Sequence, residues 1–171
     1  LNGEIRQRLQ HAGKLGTENT NMTTLVKKWT TPTEYTRTKA YHYGDVLTAG
    51  QAYPKYKIEP HQYYQIIGRN DEKQTVSLQH VKSNAISIVP LAELSEKDRK
   101  SLSLYKMEQR SVSLGDKLIL TQRIRELDLS TGQSVSVIEI KNGKLLIEKE
   151  NGQSVWLNNH DFTHRHIEHG Y

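Results

Sequence analysis

Cysteine is absent from the 171-residue chain, which removes disulfides, thiolate metal sites and cysteine nucleophiles at once and fits a cytosolic setting. Long apolar runs are missing too. Nothing approaches the roughly 18 apolar residues of a membrane span, so no membrane insertion is expected, and no basic start with an apolar centre marks a signal peptide. There is no Gly-x4-Gly-Lys-Ser/Thr phosphate loop, no Gly-x-Ser-x-Gly elbow and no His-Glu-x-x-His. Nor is there a pair of carboxylates set in a cleft for acid–base work. These absences speak against catalysis by this chain, and no cofactor is expected in it.

What remains is polar and mildly basic. Hydrophobic residues make up 35% and mean hydropathy is -0.74, so the core is modest and the chain supports one domain or two small ones. A net charge of +5 and a pI near 9.3 permit contact with a polyanion without demanding it. The sequence opens Leu1-Asn2-Gly3 without methionine and stops at Gly170-Tyr171, so both ends are expected to be cuts through a longer polypeptide.

The strongest internal signal is a repeat. Gly44-Asp45-Val46-Leu47 returns as Gly115-Asp116-Lys117-Leu118, an offset of 71 residues. The same offset maps Tyr64 on Val135, Ile66 on Val137, Ile67 on Ile138 and Val76 on Ile147. Two copies are too few for a solenoid and point to paired small β-units. The expected fold is mainly β (α+β): two SH3-like or OB-like β-barrel units in tandem, with a short N-terminal helix and connecting helices.

Residues 1–40 read as a helix–strand–helix lead-in. Leu1, Ile5 and Leu9 fall at helical spacing, with Gly13 and Gly16 as stops. A β-rich stretch ends at Trp29, and Thr31 and Pro32 are expected to cap a short helix over 33–39. The first β-unit is placed at 41–103, with strands near 45–49, 63–68, 75–81 and 84–89 and a helical stretch from Pro90. The second occupies 104–171, with strands near 117–122, 134–140, 145–148 and 154–158. Asn142-Gly143 and Asn151-Gly152 are both read as hairpin turns.

Several groups could carry function. Arg123 and Arg125 lie on a charged loop and suit phosphate, although a solvated hairpin loop is an equal reading. Tyr41, Tyr43, Tyr53, Tyr56, Tyr63 and Tyr64 are interleaved with Lys39, Lys55, Lys57 and Arg69, a mixture that suits a single-strand track. Tyr63 and Tyr64 alternate, so one is expected in the core and one at the surface. Trp29 and Trp156 are read as core. His160, His164, His166 and His169, with Asp161 and Glu168, could hold zinc if they converged, with His164 and His166 on one strand face. Surface or packing histidines are the favoured reading, and no metal ligand is assigned.

Taken together, several segments resemble one family. Leu1-Asn2 with Ile5-Arg6, Leu9 and Gly13-x-Leu15-Gly16 is similar to the helix after the phosphate-sensing motifs of TraI/TrwC/TraA-type conjugative relaxase-helicases and their RecD-like relatives. The stretch from Gly44-Asp45-Val46-Leu47 to Leu78 resembles the first half of the 2B region inserted in that motor. Leu114-Gly115-Asp116-Lys117-Leu118-x-Leu120-Thr121, Arg125-Glu126-Leu127-x-Leu129-x-x-Gly132 and Val135-x-Val137 resemble the second half. His169-Gly170-Tyr171 is similar to the residues ahead of the next helicase motif. Ile124, Asp128 and Thr131 depart from the family pattern, which has Asp, Gly and Asn there.

The resemblance implies a non-catalytic accessory subdomain of a bacterial relaxase-helicase, whose ATP site and divalent metal belong to other parts of the parent. It implies contact with single-stranded DNA and with the motor domains of the same polypeptide. A role as translocation signal for a type IV secretion or coupling protein is implied as well, with export alongside transferred DNA. Candidate DNA contacts are Arg123, Arg125, Lys55, Lys57, Arg69, Tyr53 and Tyr56. A docking module that never touches DNA is the alternative, with Asn70, Lys73, Glu96 and Lys100 as candidate surface.

Overall fold

Each Gly-Asp pair builds the same hydrogen-bonded corner. Gly44 and Gly115 sit at φ 87° and 88°, backbone space that glycine enters without strain. Gly44 N donates to Ile66 O and Ile66 N to Asp45 O, while Gly115 N donates to Val137 O and Val137 N to Asp116 O. The computed structural model describes residues 2–13 and 18–170, so Leu1, Leu15, Gly16 and Tyr171 lie outside the described residues.

The elements in chain order are α1 (Asn2–His11), β1 (Asn19–Lys28), β2 (Val46–Ala49), β3 (Tyr64–Asn70), β4 (Thr75–His80), β5 (Ile86–Pro90), α2 (Glu96–Lys100), β6 (Leu102–Ser113), β7 (Lys117–Leu120), β8 (Ser134–Lys141), β9 (Lys144–Lys149), β10 (Ser154–Leu157) and β11 (Ile167–His169). They form two compact units. The first is Val26–Met107, and the second comprises the residues before Val26 and those after Met107. The lead-in drawn at 1–40 is thus shared between units, and β6 carries the first unit past residue 103.

The fold is mainly β, with sheet orders β1-β6-β2-β3-β4-β5 and β10-β9-β8-β7-β11. Within each, five strands follow one plan: a three-stranded antiparallel meander, preceded by a strand that the last strand also pairs. A 3₁₀ turn precedes the last strand in the second unit (Phe162–Arg165), and one stands between β5 and α2 in the first (Leu91–Glu93). This is SH3-like strand order, and the described ladders form open sheets rather than a closed ring.

The repeat extends through the loops. Tyr53 and Ile58 form an isolated bridge, as do Ile124 and Leu129. The 3₁₀ turns Pro54–Tyr56 and Arg125–Leu127 follow, ending on left-handed Lys57 and Asp128. Both second strands bulge at matching places, between Ile66 and Gly68 and between Val137 and Glu139. The offset holds past the bulge to Asn70 and Lys141 and fails beyond the hairpin. Leu78 pairs Ile66 and Ile147 pairs Val137, so Ile147 corresponds to Leu78 and not to Val76. The hairpin Lys141 to Lys144 is two residues shorter than Asn70 to Thr75, which shifts the register.

Alternation along these strands fills two separate cores. One holds Leu47, Tyr53, Ile58, Tyr64, Ile66 and Leu78 among others, and the other Leu118, Ile124, Leu129, Val135, Val137 and Ile147. Tyr64 is buried and Tyr63 half-exposed, as alternation requires. Asn142 and Gly143 both have positive φ, the type I′ requirement. Around Asn151-Gly152 only Gly152 does, and Lys149 N donates to Gln153 O across a three-residue loop.

Further expectations are corrected. The helix over 33–39 is two 3₁₀ turns, Glu34–Thr36 and Thr38–Ala40, broken by extended Arg37. Threonines favour local side-chain bonds over helix, and Thr36 Oγ1 donates to Thr33 O. The N-cap of the first turn is Thr33, not Thr31, although Glu34 N donates to Thr31 Oγ1 and Thr31 N to Glu34 Oε2. Trp29 is 87% exposed, one residue past the end of β1, and Trp156 is 40% exposed on β10. In β10 Leu157 turns inward, so Trp156 must turn outward. His164 lies in a 3₁₀ turn and His166 after it, so they share no strand face.

The Asp carboxylates of the two corners are the costliest groups to lose. Asp116 is fully buried and accepts from Arg6 Nε at 3.0 Å and Ser113 N at 2.6 Å. Asp45 accepts from Lys28 Nζ at 2.7 Å and His42 N at 3.2 Å, with the Lys28 side chain 23% exposed. Asp116→Ala is expected to lower stability by about 3 kcal/mol, since it leaves buried donors unpartnered. Asp45→Ala should cost about 1–2 kcal/mol, because water reaches Lys28. Urea unfolding of both variants measures this order.

Candidate nucleic-acid interface

The loop between β7 and β8 is held at both ends. Ile124 N donates to Leu129 O at 2.9 Å, Leu129 N to Ile124 O at 3.1 Å, and Gly132 N to Leu120 O at 2.7 Å. Ile124 and Leu129 are core residues, 1% and 0% exposed. Lys149 Nζ donates to Leu127 O and Asp128 O and so satisfies the end of the 3₁₀ turn. Asp128 adopts φ 51°, a conformation Asp tolerates better than most residues. Arg123 and Arg125 flank buried Ile124. Both are exposed and make no ion pair among the described residues. Glu126 and Asp128 on the same loop offset part of their field.

The equivalent loop of the first unit is tied down. Tyr53 belongs to the core, and its hydroxyl donates to Asp98 O at 3.0 Å and bonds Ser101 Oγ. Its ring faces are therefore closed to a stacking base. Tyr56 packs against the core and donates to Glu93 Oε2. Lys55 also donates to Glu93, at 2.7 Å, and that bond raises the lysine pKa and lowers the glutamate's. Lys57 is exposed at φ 55°.

Arg69 is spent on structure. It donates to Thr38 O at 3.2 Å and Tyr41 O at 3.1 Å, stapling the second 3₁₀ turn to β3. Of the tyrosine group, Tyr41, Tyr53 and Tyr64 are buried, and only Tyr43, at 82% exposure, presents an open ring. The docking candidates are exposed: Asn70 Oδ1 accepts from Lys73 N, and Lys100 pairs with Glu96 at 2.9 Å.

The histidines do not converge. Among the described residues no group of three His, Cys, Asp or Glu could hold a metal ion. His164 Nδ1 accepts from Asn158 N at 2.9 Å, and His169 lies 4.0 Å from Asp116. His166 is buried, and burial pulls its pKa down to about 4. Burial also lowers His169, partly opposed by the Asp116 charge.

The structure adds a feature missed by reading the indoles as core. Trp29 lies in a groove of about 400 Å³ with Lys27, Lys28, Arg99 and Lys100. Ile86 and Ile88 also stand outward on the edge strand β5, 60% and 61% exposed. No helix among the described residues is long and apolar enough to cross a membrane. Neither a scan against protein-family models nor a search of curated proteins gives a match.

Buried His166 makes stability pH-dependent. The unfolded chain takes up the His166 proton near pH 6.5 and the folded chain only near pH 4, so stability falls as pH drops through that window. The expected loss is on the order of 3 kcal/mol between pH 7 and pH 4. Urea midpoints across this range, with His166→Gln abolishing the His166 share, check it.

Proposed function

We propose that this chain is a non-catalytic accessory subdomain of a conjugative relaxase-helicase, one that contacts single-stranded DNA beside a motor held elsewhere in the parent. Tandem β-units of SH3-like order are what the family resemblance implies for the inserted 2B region, and both units have that strand order. The observation that carries the DNA contact is the anchored loop with exposed, unpaired Arg123 and Arg125. Guanidinium groups on a fixed loop suit phosphate, and the net +5 charge favours the encounter. Lys57 contributes from the first unit. Lys55, Tyr53, Tyr56 and Arg69 do not, because their polar groups already have partners. The protein works in the bacterial cytoplasm and binds no ATP or metal of its own.

Docking to a type IV secretion or coupling protein is a second reading, favoured by Ile86 and Ile88 exposed on an edge strand. Ile86→Lys with Ile88→Lys is then expected to abolish mobilisation by the parent while its helicase activity stays intact. Unchanged mobilisation would count against docking there.

Oligo-dT affinity measured across a salt series tests the DNA role. The Arg123→Ala, Arg125→Ala double variant should bind more weakly and flatten the slope of log K against log salt by about 1.4, two phosphate contacts at roughly 0.7 each. An unchanged slope would remove the loop from the interface.

A further inference from the structure

We infer that the groove around Trp29 is a nucleobase-stacking site, which takes one base of a single strand against the indole and its phosphate against Lys27 and Arg99. The inference rests on the single-strand reading above, but it places a contact on residues that reading does not use. Three observations carry it.

The first is exposure. Trp29 follows the last residue of β1, and Thr30 N donates to Lys28 O, so the backbone there is held by a turn. An indole left 87% exposed gains nothing from burial in the fold. The second is shape. The indole borders a groove of about 400 Å³ in the first unit, within the roughly 300–1,000 Å³ range of small-ligand sites.

The third is charge. Four cations line the groove and no carboxylate does. Two of the four are engaged elsewhere, Lys28 with Asp45 at 2.7 Å and Lys100 with Glu96 at 2.9 Å. Lys27 is not so held; its ammonium lies 5.1 Å from the centroid of the indole ring. Arg99 gives one donor to Leu94 O, while its Nε is buried with no hydrogen-bond partner among the described residues. A flat π surface beside unspent donors matches the alternation of base and phosphate along a single strand. A polyglutamate peptide would satisfy the cations but has no ring to lay on the indole.

Lys28 also donates to His42 Nδ1, and His42 lines a second groove with exposed Tyr43. A strand leaving the Trp29 groove along that side therefore meets another open aromatic face.

The test uses the whole chain in a Trp156→Phe background, where indole emission reports Trp29 alone. Titration with an eight-residue oligo-dT is expected to quench that emission saturably, and an abasic strand of equal length and a polyglutamate peptide are not. Trp29→Ala, with its melting temperature unchanged, should weaken oligo-dT binding by about 5- to 150-fold, and Trp29→Phe should restore part of it. Unaltered emission, equal quenching by polyglutamate or the abasic strand, or unchanged affinity in Trp29→Ala would overturn the site. If affinity instead falls only in the Arg123, Arg125 double variant, the groove is wrong and the single-strand reading stands. If oligo-dT does not bind the chain at all, both fail.

Discussion

The structure depends on a carboxylate placed where a strand begins. Asp45 and Asp116 each accept from the backbone N–H three residues earlier, and each also draws in a cation from a segment far back in the chain. In the second unit that cation is Arg6 of α1, which also donates to Ser113 Oγ. In the first it is Lys28 at the end of β1, which donates as well to Ala40 O. Buried acceptors must be satisfied, so the position of each preceding segment follows from the corner. The short basic helix, whose apolar content is small, thus finds its place through charge as much as through burial.

The loops that follow the two corners share a geometry and differ in surface chemistry. Both units hang a loop between first and second strands on one bridge, one 3₁₀ turn and one left-handed residue. What differs is the chemistry hung there. In the first unit Glu93, Asp98 of α2 and Ser101 after it gather in Tyr53, Lys55 and Tyr56, so the loop becomes part of the wall. In the second, Lys149 secures the turn through backbone oxygens alone, and Arg123 and Arg125 remain exposed.

Much of this was legible because it is written locally. Gly44 and Gly115 need positive φ, Asn142-Gly143 needs a I′ turn, and alternating strands need one buried face. The register past the hairpin was not legible. Val76 and Leu78 in one strand and Leu145 and Ile147 in the other are both spaced by two, so a slip of two residues leaves the inward pattern intact. Trp29 misled for a related reason: large size argues for burial, whereas the turn after Lys28 carries the indole outside. The tyrosine-rich loop read as a binding track, yet the hydroxyls found partners within the fold, which only the tertiary contacts reveal. Strand β11 is three residues long and exists through its pairing with β7, so no local pattern announces it.

The proposal for this mildly basic, cysteine-free chain with twin β-units is a surface offered to a polyanion. Backbone amide hydrogen exchange of the whole chain, with and without oligo-dT at low salt, tests that most directly. Slowed exchange in residues 122–130 is expected on adding the strand, with the β8–β9 ladder unchanged. Slowing confined to β5, or none anywhere, would contradict it.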